Sequence, residues 1–236
     1  MRDVGLPSAC ANHALLRVNG AYYGLFANIE HLNQDFLARQ FPGSEDDGNL
    51  WKSGNKLRTN ESTPDASRLD AFWAARTLQE LDALTDLDEA VLEWAAEATL
   101  PARDNYWQFG WNYYLYEHPT RGFLFLPTDL DRSISLSLFG ADDNFFRPPT
   151  LQPTAQLVLA DPAWNARYLA AIHRSIRAFD AAVLEARVDR WWAQIADAAR
   201  TDPHARYRDA DVVALKEALR AREAWLKGWA ERNPTP

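Results

Sequence analysis

An α+β fold, with strands concentrated toward the front of the chain and helices filling the back, is predicted by three observations. The front contains short apolar runs separated by Gly-containing turns, in the length and period of strands. From Pro162 onward the chain changes to Ala, Arg, Leu and Trp at helical spacing. No segment repeats another, so the chain is not an array of repeated units.

The first element is a β-hairpin over residues 15–18 and 22–29. Its turn is Asn19-Gly20, the pair that best tolerates the two positive φ angles of a type I′ turn. A helix follows, with Asn33 as N-cap and Phe36, Leu37 and Phe41 as its apolar stripe; Pro42-Gly43 ends it. An acidic loop over 44–48 leads to a short element over 49–52, and residues 56–64 are polar and read as loop. Residues 66–100 have helical periodicity, with Leu69, Phe72, Trp73, Leu78, Leu81, Leu87, Val91, Leu92 and Trp94. The aromatics of residues 104–116 suit a buried helix or a strand equally. Phe123-Leu-Phe-Leu-Pro127, after a His-Pro-Thr-Arg-Gly turn, reads as a buried strand. Residues 139–153, with three prolines, are expected to cross the surface as a loop. Helices are expected over 164–179, 184–199 and 210–230, the first announced by Asp161-Pro162. Trp191, Trp192, Trp225 and Trp229 are expected in the core or against a partner helix.

Composition narrows the function. The 236 residues can bury a sizeable core, and 47% hydrophobic content with ten Trp excludes a disordered chain. A net charge of −8 argues against a nucleic-acid footprint, which needs a basic surface. It leaves room for ATP, whose phosphates a metal can bridge. Cys10 is the sole cysteine, so no intrachain disulfide or Cys-based zinc site forms. No apolar run approaches the ~18 residues of a membrane span, and the start lacks the apolar core of a signal peptide. The five histidines have no ligand spacing, and neither a Walker A loop, a Gly-x-Gly-x-x-Gly nor a Gly-x-Ser-x-Gly elbow occurs.

The chemistry-bearing stretch runs from Asp104 to Asp131. In an extended backbone Asp129 and Asp131 would share a face, and two carboxylates side by side call for a cation such as magnesium. Solvated loop acids are the ordinary alternative. Asp104 and Asn112 lie just upstream, within an aromatic-rich segment. Lys52 follows Leu50-Trp51 and has the reach to meet a phosphate, although a lone lysine usually stays in solvent. Glu30 ends the second hairpin strand, free to pair with a lysine or simply to be exposed.

These segments, in order, resemble the spore-coat-protein-H (CotH) kinase family. Asn19-Gly-Ala-Tyr-Tyr-Gly-Leu-Phe-Ala-Asn-Ile-Glu30 is similar to its "NGxYxGLYxxxE" hairpin and Gly48-Asn-Leu-Trp-Lys52 to "GNLYK". Asn112-Tyr-Tyr-Leu-Tyr116 matches "NYYLY", and Pro127-Thr-Asp-Leu-Asp131 resembles "PWDLD". The resemblance implies an atypical protein-kinase-like domain over 1–236. Residues 1–60 would be a remnant of the nucleotide lobe, 61–158 the catalytic and metal region, and 159–236 a helical part. It implies phosphoryl transfer from ATP, with magnesium, to serine of a protein substrate. Asp104 would be the catalytic base or hydroxyl-orienting group, Asp129 a metal ligand, and Asn112 and Asp131 further ligands. Phe123 stands where the family often has a Trp that stacks on adenine, and Lys52 and Glu30 would contribute to the nucleotide site. Trp51 and Thr128 replace the usual Tyr and Trp.

Met1-Arg-Asp-Val-Gly-Leu-Pro resembles a passage well inside the family domain. That start gives a second expectation: an inactive structural or binding relative of a coat or surface layer. The hairpin would then lack a sheet partner, exposing Tyr22, Tyr23 and Phe26 along an edge through which the chain could form homo-oligomers. A third reading, from another class, is a carbohydrate-active protein with Asp104 and Asp129 as paired acids and aromatics for sugar stacking.

Overall fold

The computed structural model describes residues 1–101, 104–134, 140–147, 152–204 and 208–235. The hairpin forms as β1 (Ala11–Val18) and β2 (Ala21–Ile29), with Asn19 at φ 52° and Gly20 at φ 84°, as the type I′ turn requires. It makes a sheet of its own. Helix α1 (Gln34–Gln40) follows, and the Asn33 side chain accepts from the Phe36 N–H as its cap.

A second sheet, antiparallel throughout, runs in the order β4 (Lys56–Leu57), β3 (Leu50–Lys52), β5 (Tyr113–His118) and β6 (Gly122–Pro127). The short strand β4 corrects the loop expected there: Leu57 pairs back on Trp51 around the tight Ser53-Gly54 turn. Both faces of this sheet are covered, which explains why Tyr113-Tyr-Leu-Tyr116 and Phe123-Leu-Phe-Leu126 read as unbroken apolar runs. One face turns Trp51, Tyr113, Leu115, Phe123 and Phe125 into the main core. The other turns Leu50, Tyr114, Tyr116, Leu124 and Leu126 onto Phe36, Leu37 and Phe41 around α1.

The helical stretch expected over 66–100 is divided into α2 (Ser67–Ala74), α3 (Leu78–Asp82) and α4 (Leu87–Thr99). Thr77 and Glu80 form a capping box that starts α3, and the Asp86 side chain caps α4. Between them Thr85 bridges to Phe123, fixing α4 against β6. The ambiguous segment resolves into both candidates: α5 (Tyr106–Phe109) and then β5.

The back of the chain is α6 (Pro153–Leu159), α7 (Pro162–Ala178), α8 (Ala181–Thr201) and α9 (Asp209–Arg232), with Asp161 and Asp180 as side-chain caps of α7 and α8. Of the loop expected over 139–153, residues 139 and 148–151 lie outside the described residues. Its described part lies at the surface, with Gly140, Asp142, Asn144 and Arg147 exposed, and is pinned from within by Phe146. Phe146 is buried against Trp229 at 4.4 Å and Trp225 at 5.9 Å, and Trp107 donates its indole N–H to the Phe145 carbonyl. Trp191 departs from the core expectation: it stands 51% exposed.

The expected open edge of the hairpin is partly closed. The outward Leu25 N–H donates to Asp202 Oδ2 at 2.7 Å, and the Tyr22 hydroxyl donates to the Ala198 carbonyl at the end of α8. Tyr23, Phe26, Leu15 and Ile29 remain exposed. No helix among the described residues is long and apolar enough to cross a membrane.

Candidate functional site

Three chain segments meet at one end of the second sheet. Lys52 closes β3 opposite Tyr114, and the next residue, Ser53, donates its N–H to the Tyr113 carbonyl at 2.9 Å. Tyr113 opposite Pro127 is the last pair of β5 and β6, and Thr128 N–H extends the ladder to the Asn112 carbonyl at 3.0 Å. Asp129 follows at once and opens a 3-10 turn, Leu130–Arg132. From that turn Arg132 reaches back to Asp104, Nη1 to Oδ2 at 3.3 Å. Ile134 N–H then joins the Pro101 carbonyl at 3.1 Å, closing the chain on the segment before Asp104.

The backbone around this sheet end is unusual. Among the described residues seven non-glycine residues have positive φ, and five of them, Ser53, Asp104, Asn112, Asp129 and Ile134, belong to these segments. A left-handed conformation is accessible to Asp and Asn but is an outlier for β-branched Ile. Such strain costs of order 1–3 kcal/mol per residue and concentrates where a site must be pre-shaped. Gly54 belongs to the same corner: at φ 67°, a Cβ there would lie 2.5 Å from the Trp73 ring and 2.7 Å from the Tyr113 hydroxyl.

The predicted residues fare differently. Asp104, Asn112, Asp129 and Lys52 are brought to this one sheet end. Asp131 stands exposed on the 3-10 turn, and the strand-like alternation expected for Asp129 and Asp131 does not occur. Asp129 leaves the strand in a left-handed conformation, and residues two apart in a 3-10 turn diverge by about 120°. Phe123 is corrected: it is fully buried, 5.1 Å from the Phe72 ring, and shows no open face on which adenine could stack. Glu30 is corrected too. Its carboxylate pairs with Arg39, not a lysine, and accepts the Cys10 N–H at 2.8 Å, which locks the base of the hairpin to α1. The Arg39 hydrogen bonds hold its carboxyl below the usual range.

Two residues near this sheet end were not among the expected site residues. Arg132 was visible only as the cation after Asp-Leu-Asp, and nothing in its spacing pointed to Asp104. Trp73, 41% exposed, lines an apolar cleft of about 410 Å³ with Phe72, Leu81 and Leu157, and donates its indole N–H to the Gly54 carbonyl at 2.9 Å. Its position directly after Phe72, off the buried stripe, was the available signal.

Among the described residues no three acidic, His or Cys side chains converge as a ready metal cage. The segments that meet at the sheet end carry two carboxylates and an amide, Asp104, Asp129 and Asn112, whose oxygens are hard donors. That set suits magnesium, which keeps several waters and completes its shell from phosphates rather than from protein alone.

No curated protein matches the chain. The family model described as CotH kinase protein matches residues 1–234, nearly the full length. On that match the chain belongs to the CotH kinase family.

Proposed function

We propose that the protein is an ATP- and magnesium-dependent phosphotransferase acting on serine of a protein substrate, built as one atypical kinase-like domain. The observation that carries the reading is the meeting of Asp104, Asn112 and Asp129, each with a left-handed backbone, beside Lys52 at one sheet end. Magnesium-bound ATP supplies the transferable phosphoryl group and neutralises its charge. Asp129 and Asn112 would hold the cation, and Asp131, which does not share a face with Asp129, would be a structural acid of the following turn. Lys52, an exposed flexible point charge, would meet phosphate oxygens. Asp104 would accept the proton of the serine hydroxyl, its carboxylate kept in place by Arg132. With Phe123 buried, the cleft beside Trp73 offers an aromatic wall for the base. Such catalysis rests on positioning and electrostatics, which is what a strained, pre-shaped backbone supplies.

Calorimetric titration of Mg-ATP into wild type and Asp129→Ala tests the site, and equal affinity in the two would refute it. Asp104→Ala should keep nucleotide binding and lose transfer.

A binding-only relative is the second reading, favoured by the Glu30–Arg39 pair and the burial of Phe123, which remove two expected nucleotide contacts. It predicts no thermal shift with Mg-ATP beyond that of magnesium alone. A working site at ~100 times its dissociation constant would add about 2.7 kcal/mol.

A further inference from the structure

Helix α4 passes behind the segment that carries Asp104, and its buried face holds two glutamates one turn apart, Glu93 and Glu97. Both are at most 1% exposed. Glu97 Oε2 accepts the N–H of Trp107 at 2.8 Å. Trp107 is the second residue of α5, whose N-cap, Asn105, directly follows Asp104 and receives the Gln108 N–H on its side chain. The glutamate therefore grips the backbone three residues beyond the proposed catalytic carboxylate. Neither oxygen of Glu93 meets an N–H or hydroxyl donor among the described residues. Two adjacent buried carboxyls cannot both ionise. The backbone donor favours charge on Glu97, while burial and the neighbouring Glu97 hold the Glu93 carboxyl well above the usual carboxylate range.

A core does not need this pair for packing, since apolar side chains of equal size in place of buried charges are often neutral or stabilising. What the pair adds is a fixed acceptor for the Trp107 amide behind α5. We propose that Glu97 is a positioning residue for Asp104, holding α5 through the Trp107 amide with the Glu93 carboxyl as its backing. This rests on the reading of Asp104 given above. The groups around the pair leave it without a competing cation. Tyr106, Tyr113 and Tyr168 are buried phenols whose ionisation burial suppresses, and Glu89 pairs with Arg121. Arg222, near the end of α4, gives its N–H groups to backbone carbonyls. Trp94 stacks on Trp107 at 6.2 Å and Tyr168 packs on it at 5.2 Å, so α5 moves only as its amide bond and this aromatic stack allow.

Glu97→Met and Glu97→Gln in the full chain test the proposal. Met fills the volume without an acceptor; Gln restores one. Glu97→Met removes a buried carboxyl but strands the Trp107 N–H, two opposed effects, so at neutral pH it should melt near wild type while hydrogen-exchange protection of the Trp107 amide falls roughly tenfold. The Asp104 and Asn105 amide resonances should shift. Phosphate transfer should lose at least roughly tenfold in kcat with KM for Mg-ATP nearly unchanged, and Glu97→Gln should recover most of both losses. A merely structural glutamate would lower stability and kinetics together. Wild-type protection and unshifted resonances in Glu97→Met overturn the proposal, as does lost protection with undiminished kcat. If wild type transfers no phosphate, the phosphotransferase reading falls, and the Trp107 protection and Asp104 resonance still decide whether Glu97 sets that segment.

Discussion

The Asp104 carboxylate stands 3.3 Å from the Arg132 guanidinium, and this ion pair ties the segment before α5 to the turn after β6. It joins the two halves of the candidate site, the acid upstream of Asn112 and the Asp-Leu-Asp turn that follows β6.

Arg132→Ala should therefore separate function from stability. The arginine is 55% exposed at its side chain, and pairs of that kind contribute about 0–1 kcal/mol. The urea midpoint should barely move. Transfer should fall by roughly tenfold or more as Asp104 loses its orientation. Steady-state kinetics beside a denaturation curve check both halves of the statement.

Stability should be greatest in mildly acidic solution. Burial raises both Glu93 and Glu97, the latter from 4.5 to about 7. The folded state thus binds protons more tightly than the unfolded chain, so stability falls as pH rises from 4.5 through about 7, and further as Glu93 is forced to ionise. Glu30 and Glu80, lowered by hydrogen bonds, act oppositely: their contribution is present above 4.5 and is lost as pH falls through their folded values. Glu93→Gln should flatten the alkaline loss and leave the acid limb alone. Urea midpoints across pH 4 to 9 report it.

Arg222 is completely buried, and its donors satisfy the carbonyls of Ala98, Thr99, Ala141 and Asp143 while its guanidinium lies 4.5 Å over the Trp225 ring. Burial lowers its pKa to about 10, which leaves it charged at neutral pH. Arg222→Ala strands several buried carbonyls and should cost about 3 kcal/mol or more. Arg222→Lys should recover only part, because an ammonium cannot span four acceptors with the geometry of a planar fork. Thermal unfolding monitored by Trp fluorescence should show the ranking.

Asp202 should keep the hairpin from pairing with other chains. Its carboxylate occupies the outward Leu25 N–H, and Gly24 lies close enough that a Cβ would sit 3.2 Å from it. Asp202→Ala frees a strand edge flanked by exposed Tyr23 and Phe26. Light scattering should show dimers or larger species at micromolar concentration in the variant. An unchanged mass would mean that the Tyr22 contact to Ala198 suffices to cover the edge.

Much of the local structure is legible residue by residue. Asn19-Gly20 turns the hairpin because both positions accept positive φ. Asn33, Asp161 and Asp180 each sit where a side-chain oxygen can take orphan amides at a helix start. The division of the 66–100 stretch was written in Thr77-x-x-Glu80 and in Asp86, but helical periodicity ran across both signals and concealed them.

The candidate site was legible as residue types and illegible as geometry. Asp104, Asn112, Asp129 and Lys52 were singled out from the chain alone, since carboxylates, an amide and a lysine amid aromatics are chemically conspicuous. Phe123 went astray because the stacking role comes from the family resemblance while its own run already reads as a buried strand, and Glu30 because nothing local tells a carboxylate which distant cation will reach it. Likewise the alternation expected of Asp129 and Asp131 assumed a strand that ends one residue earlier, in a left-handed turn set by the rung between Thr128 and Asn112.

What the sequence by itself determined is the set of local preferences: caps, turns, apolar periods and the order of family motifs, all governed by interactions within a few residues. Only the tertiary structure decided that β3, β5 and β6 end together, that Arg132 neighbours Asp104, that Arg39 rather than a lysine pairs with Glu30, and that Glu97 lies behind α5. Those relations depend on sheet register and on the burial of charges far apart in the chain, where the free energy belongs to the packed whole and to no single segment.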